Sequence, residues 1–356
     1  MRPEGRRPES GSFASDNYAG ALPDVIEAVA AANQGHAPAY GNDALTDRLR
    51  ERFRECFGPE AIGLPVFNGT GANVVSLRAV ARPYDAVICA ATSHLNVDEC
   101  GAPERVGGFK LLPVETPDGK LTPELVAPRL IRFGDEHAVQ PRVVSITQST
   151  EFGTVYEPAE IRALADQAHA RGMVLHVDGA RLANAAAALD CSLAAITTDA
   201  GVDVLSFGAT KNGAMAAEAV VLLRADLGDG VQFMRKQSMQ LASKMRFISA
   251  QLETLLAGER WREPAAHANT MALRLHDALT GVDGVRFTRP VQANALFAVL
   301  PPGVAEELQR GWRFYTWDES TGEVRWMCSW DTPPEDVDAF AGAVRDAVGR
   351  ALTPST

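Results

Sequence analysis

Positive charge is in short supply in this sequence. Lys and Arg number 34 against 45 Asp and Glu in 356 residues, a formal net charge of -11. Nucleic acids are gripped by clustered cations, so no nucleic-acid partner is expected. Cysteine is sparse too: Cys56, Cys89, Cys100, Cys191 and Cys328 are odd in number, scattered and never spaced as Cys-x-x-Cys. That pattern excludes a disulfide framework and a zinc site, so no metal is expected, and the compartment reads as reducing, hence cytoplasmic. No apolar run approaches the ~20 residues that cross a bilayer, which excludes a membrane-spanning chain. The opening "MRPEGRRPESGS" has arginines with no hydrophobic segment behind them. Residues 1–12 therefore read as a flexible tail rather than a signal peptide. Internal repeats and low-complexity arrays are missing as well.

What is present is ordinary for a globular protein, with 46% hydrophobic and 22% charged residues. The length suits one large domain and a smaller one. Short apolar runs recur: "LPVF", "DAVICA", "KLLPVE", "RVVSIT", "MVLHVD", "VDVLSF" and "AVVLLR". Amphipathic segments lie between several of them, such as "PAEIRALADQAHARG", which starts on Pro and ends on Gly. Near-continuous apolar strands alternating with helices predict an α/β fold whose mainly parallel sheet is covered on both faces. Gly230 to Gly258 carries helical spacing throughout and reads as a bridge between domains. Beyond it, "RFTRP", "NALFAVL", "WRFYTW" and "EVRWMCSW" read as antiparallel strands between helices, a small α+β domain. The predicted division is 13–258 and 259–356.

Ligands of open α/β sheets collect past the carboxyl ends of the strands. After "LPVF" comes Asn68-Gly69-Thr70-Gly71-Ala72-Asn73, opening an apolar helix. Such a turn can present N–H groups to an anion, or it can be a tight turn capped by Thr70. The third glycine of a dinucleotide fingerprint is missing, which argues against a nicotinamide-binding dehydrogenase. After "DAVICA" comes His94, with Glu99 five residues on; a lone histidine of this kind is more often structural. Asp178 ends "MVLHVD" and could cap the next helix. Lysine is rare here, and of Lys110, Lys120, Lys211, Lys236 and Lys244 only Lys211 follows an apolar strand. Desolvation there favours a nucleophilic amine. Lysine, carboxylate, anion turn and flat ring together suit pyridoxal 5′-phosphate (PLP): the lysine forms the Schiff base, and the carboxylate keeps the pyridine nitrogen protonated.

Five segments in order, "FNGTGANVVSL", "SHLNVDECGAPE", "ITQSTEFGTVYEP", "HVDGARLANA" and "SFGATKNG", resemble the low-specificity L-threonine aldolases. That family lies in the β-eliminating lyase group of fold-type I PLP enzymes, and the likeness runs from about Phe13 to the final helix. It implies a large PLP-binding domain with a seven-stranded, mainly parallel sheet and a small C-terminal α+β domain. It makes Lys211 the Schiff-base lysine, Asp178 the pyridine-nitrogen partner and His94 the ring-stacking residue. Gly69, Thr70 and Gly71 become the phosphate loop, with Arg246 reaching the phosphate. Arg181 and Arg325, with Ser15, match positions for the substrate carboxylate. Arg325 also reads as a strand arginine covering tryptophan, and Ser15 as a cap. Tyr40 matches a segment that reaches the neighbouring subunit's site, so a homo-oligomer is implied, a dimer of dimers. The implied activity is cleavage of threonine, allo-threonine or aryl analogues such as phenylserine to glycine and an aldehyde. The alternatives are a β-eliminating lyase acting on another amino acid, or a non-catalytic PLP-binding regulator. One departure stands out. Many family members carry a histidine after the strand equivalent to "RVVSIT"; here the chain reads Thr147-Gln148-Ser149-Thr150-Glu151. With Thr150 at the place of that imidazole, His94 is left as the candidate base.

Overall fold

The computed structural model describes residues 12–353, so the expected tail, Ser12 apart, lies outside the described residues. Contacts group the chain into two compact units, Ala21–Arg262 and the described residues before Ala21 together with those from Glu263 onward. Phe13–Gly20, expected in the large domain, falls in the second unit. There Phe13 N–H donates to Arg313 O at 2.7 Å and Met327 N–H donates to Phe13 O at 2.9 Å. The Phe13 ring also stacks on Phe340 with centroids 4.5 Å apart.

The larger unit holds a seven-stranded sheet. Its strands are β1 (Ile62–Val66), β2 (Asp85–Ala90), β3 (Lys110–Val114), β4 (Gln140–Thr147), β5 (Val174–Gly179), β6 (Val204–Gly208) and β7 (Glu218–Leu222). Their order is β1-β7-β6-β5-β4-β2-β3. β3, β2, β4, β5 and β6 pair in parallel, whereas β7 is antiparallel to both β6 and β1. The reversal at β7 has a simple cause. A parallel return needs a crossover of roughly a dozen residues or more, and only 209–217 separate β6 from β7. Every residue of β2, β5, β6 and β7 is buried, which explains their unbroken apolar runs. Helix Pro158–His169 shows the local logic: Pro opens it, Glu157 and Glu160 form a capping box, and Ile161, Leu164, Ala165 and Ala168 bury one face.

The long predicted helix between Gly230 and Gly258 is instead two, Val231–Gln237 and Arg246–Leu256. Met239 takes φ 60 in the break, and the non-helical stretch carries Gln240 to the end of β1. Gln240 Oε1 accepts Phe67 N–H at 3.2 Å. A tertiary bond has overridden a periodic pattern.

The smaller unit has a four-stranded antiparallel sheet of β8 (Arg286–Phe287), β9 (Ala295–Val299), β10 (Tyr315–Asp318) and β11 (Glu323–Met327), ordered β10-β11-β9-β8. Helices Arg262–Leu279 and Pro334–Leu352 cover it, their Leu275, Val337 and Phe340 sharing one core with Trp326 of β11. No helix among the described residues is long and apolar enough to cross a membrane.

Candidate active site

Sheet order decides which strand ends become neighbours. β6, β5, β4 and β2 lie side by side, so the segments that follow them converge at one edge. Within that edge Thr147 pairs with Asp178, and Asp178 with Ser206. A cleft here is lined by Gly69, Thr70, His94, Asp178, Arg181 and Lys211, all of them singled out in the sequence. Asn73, Glu99, Thr147 and Glu151 line it as well.

Helix Gly69–Val80 starts at this cleft. Its cap is Asn68 rather than Thr70: Asn68 Oδ1 accepts Gly71 N–H at 2.7 Å. The N–H groups of Gly69 and Thr70, like the first ones of any helix, have no intrahelical acceptor. Gly71 is explained by packing, since a Cβ there would lie 2.2 Å from Gln240 Cδ. One turn in, the buried Asn73 donates from Nδ2 to Glu99 Oε1 and to Asp178 Oδ2, each at 2.8 Å. An amide on the sheet side of an apolar helix was the available sequence signal for it.

Asp178 does not cap helix Leu182–Ala188; its Oδ1 accepts Ala180 N–H at 3.0 Å, within its own turn. Beneath it, Ser145 Oγ lies 2.8 Å from His176 Nδ1 and Ser206 Oγ lies 3.0 Å from His176 Nε2. Burial pushes His176 down to about 4, which keeps that ring neutral. Lys211 sits on the short 3-10 turn Thr210–Asn212. Close by, burial pushes the Glu218 carboxyl up to about 7, while hydrogen bonding from Thr210 and the Lys211 charge pull the other way.

His94 Nδ1 lies 3.0 Å from Glu99 Oε1. That bond raises the His94 pKa, against the opposing effect of burial. His94 N–H donates to Glu151 Oε1 at 2.7 Å, and Thr147 Oγ1 donates to the same oxygen at 2.9 Å. Burial pushes Glu151 up to about 7. Thr150 does not line the cleft; its hydroxyl is 2.7 Å from Thr154 Oγ1. Of the two adjacent residues, it is Glu151 that faces the site.

The remaining sequence candidates are not among the residues that line this cleft. Arg246 opens its helix with Nη1 3.5 Å from Gly35 O, and Tyr40 is 49% exposed with Lys236 Nζ 5.3 Å from its ring. Neither lines the cleft. In the smaller unit, Ser15 caps the turn Asp16–Tyr18 by accepting Asn17 N–H at 3.2 Å. Arg325 there donates to Ala14 O at 3.1 Å and lies 4.7 Å over the Trp317 ring.

The cleft's chemistry fits PLP. It offers a primary amine, a carboxylate oriented by two donors, an imidazole and the open N-terminus of a 12-residue helix. Asn73 Oδ1, Glu99 Oε2 and Glu151 Oε2 are buried with no hydrogen-bond partner among the described residues. Unpaired polar atoms clustered around one cleft are expected where a small polar ligand completes the site.

Architecture sets the class first. The chain has the fold of the fold-type I PLP-dependent enzymes. It aligns over 95% of its length, and 92% of the other chain, with a Thermus thermophilus aspartate aminotransferase variant, at TM-score 0.69 and 19% identity, a likeness of fold alone. Within that class, residues 12–300 match the beta-eliminating lyase family. The chain is 44% identical to a low specificity L-threonine aldolase of Pseudomonas aeruginosa, covering 95% of this chain and 98% of that one. A threonine aldolase of Leishmania major shares its structure at TM-score 0.90 and 30% identity, over 95% and 99% of the two chains. The chain belongs to the low-specificity L-threonine aldolases, PLP-dependent aldehyde-lyases acting on amino acids.

Proposed function

We propose that this enzyme cleaves threonine, allo-threonine and related β-hydroxy-α-amino acids, aryl analogues such as phenylserine included, to glycine and an aldehyde. The observation that carries the reading is the meeting of Lys211, Asp178 and His94 around one cleft. Bound PLP supplies an electron sink for the pair released from the Cα–Cβ bond. Lys211 holds the cofactor covalently, and Asp178 keeps its pyridine nitrogen protonated. A charge-assisted bond of that kind contributes about 1.5–3 kcal/mol. The N–H groups of Gly69 and Thr70 serve the phosphate, helped by the helix dipole, while Gly71 lets the turn pack and gives its N–H to Asn68. His94 covers the ring face. Arg181 offers the substrate carboxylate a two-pronged guanidinium.

Tyr40 and Arg246 act in the neighbouring subunit's site, within a homodimer that pairs into a dimer of dimers. Neither lines this chain's own cleft and Tyr40 is exposed, which supports that role. The decisive experiment offers the purified enzyme a panel of β-hydroxy amino acids and measures its products. Glycine and an aldehyde are expected. A 2-oxo acid and ammonia would instead make it a β-eliminating lyase.

A further inference from the structure

We propose that Glu151 is the catalytic base that takes the β-hydroxyl proton of the substrate, a proposal that rests on the aldolase reading above. Two bonds fix its carboxylate: Oε1 accepts His94 N–H and the Thr147 hydroxyl, at 2.7 and 2.9 Å. Oε2, on a cleft-lining residue, is buried with no partner among the described residues, an acceptor left for a bound group to satisfy. A carboxylate oxygen accepts without needing a tautomer, so the free atom is ready to receive a proton.

His94 is the poorer base. Its Nδ1 is engaged by Glu99, and that contact favours the charged imidazolium, which has no lone pair to offer. Thr150 is committed to Thr154. Burial holds Glu151 at about 7, the range in which a base works best near neutral pH. The negative Asp178 adds to that shift, and the N–H of His94 opposes it. Lys211 and Arg181 also line the cleft as cations. Cys89 and Tyr156 face Glu151 electrostatically but stay neutral, because burial raises both.

The step balances. The β-hydroxyl proton passes to Glu151 Oε2, and the O–H pair closes the aldehyde C=O. The Cα–Cβ pair stays with the glycine fragment until Cα takes up one proton.

The test is Glu151→Gln, which keeps a carbonyl for His94 N–H and Thr147. Cofactor and glycine binding should stay within about threefold while kcat for threonine falls about 10²–10⁴-fold. In the wild type, kcat/KM should rise with pH through a limb near 7, and this variant should lose that limb. His94→Phe should keep it. A second readout uses cofactor-free protein, where two infrared carboxyl bands titrate near 7, from Glu151 and Glu218, and Glu151→Gln should remove one of them while the other stays. Near-normal kcat in Glu151→Gln, or a limb that follows His94 instead, overturns the proposal. If the wild type itself makes a 2-oxo acid and ammonia, the aldolase reading falls and takes this proposal with it. A working aldolase with an unimpaired Glu151→Gln removes this proposal alone.

Discussion

Replacing Asn73 with alanine strips two carboxylates of a shared donor. Asn73 Nδ2 bonds Glu99 Oε1 and Asp178 Oδ2 at 2.8 Å each, in a residue only 2% exposed. Hydrogen bonds to charged groups are worth about 1.5–3 kcal/mol apiece. Asp178 keeps its bond from Ala180 N–H, and Glu99 keeps His94. Asn73 Oδ1 is itself unsatisfied among the described residues, so its loss offsets part of the damage. A net cost of about 3 kcal/mol follows, close to the upper end of ordinary single-residue effects. At about 2–4 °C per kcal/mol for a unit of this size, Tm of the cofactor-free protein should fall by about 6–12 °C. The cofactor should suffer as well. An Asp178 free to swing away from the pyridine nitrogen forfeits part of a charge-assisted bond, and Kd for PLP should rise about 10–100-fold. Scanning fluorimetry of the cofactor-free protein and fluorescence titration with PLP measure the two effects. If Tm moves by less than about 2 °C and Kd is unchanged, Asn73 does not organise these carboxylates and the argument is wrong.

Lys211→Ala should abolish the visible band of the lysine-bound cofactor, and borohydride should then label no lysine; labelling of another lysine would relocate the attachment point. Glu99→Gln should lower the His94 pKa, because the Glu99 contact is the main cause raising it; ring titration by NMR reads the change. The sign for stability follows from the same shift. A histidine raised on folding contributes fully below its unfolded pKa and loses that contribution as pH rises through the folded value. Glu99→Gln should therefore cost more stability in mild acid than above neutrality, and an equal loss at both would contradict the pairing. In sedimentation at assay concentration, the active species should run as a dimer or larger, and an active monomer would refute the shared site.

Local pattern alone carried much of this protein. Strands β2, β5 and β6 are buried on both faces, so their unbroken apolar runs announced them, and the residues at their ends could be inspected for chemistry. Asp178 and Lys211 were legible for that reason, as was the helix turn at Gly69. Neighbourhood was not legible, because strand order is set by pairing between distant segments. Only the order β6-β5-β4-β2 brings Glu151 and Thr147 beside His94 and Asp178. The choice between Thr150 and Glu151 was likewise beyond sequence: adjacent residues in a turn share a pattern, and backbone geometry decides which side chain enters the cleft. Asn73 showed in the sequence only as an amide in an apolar helix, since its meaning lies in two carboxylates 26 and 105 residues away. The helix expected across 230–258 failed for the same reason. Periodicity records local preference, whereas the Gln240 bond to Phe67 N–H spans 173 residues and exists only once the chain is packed.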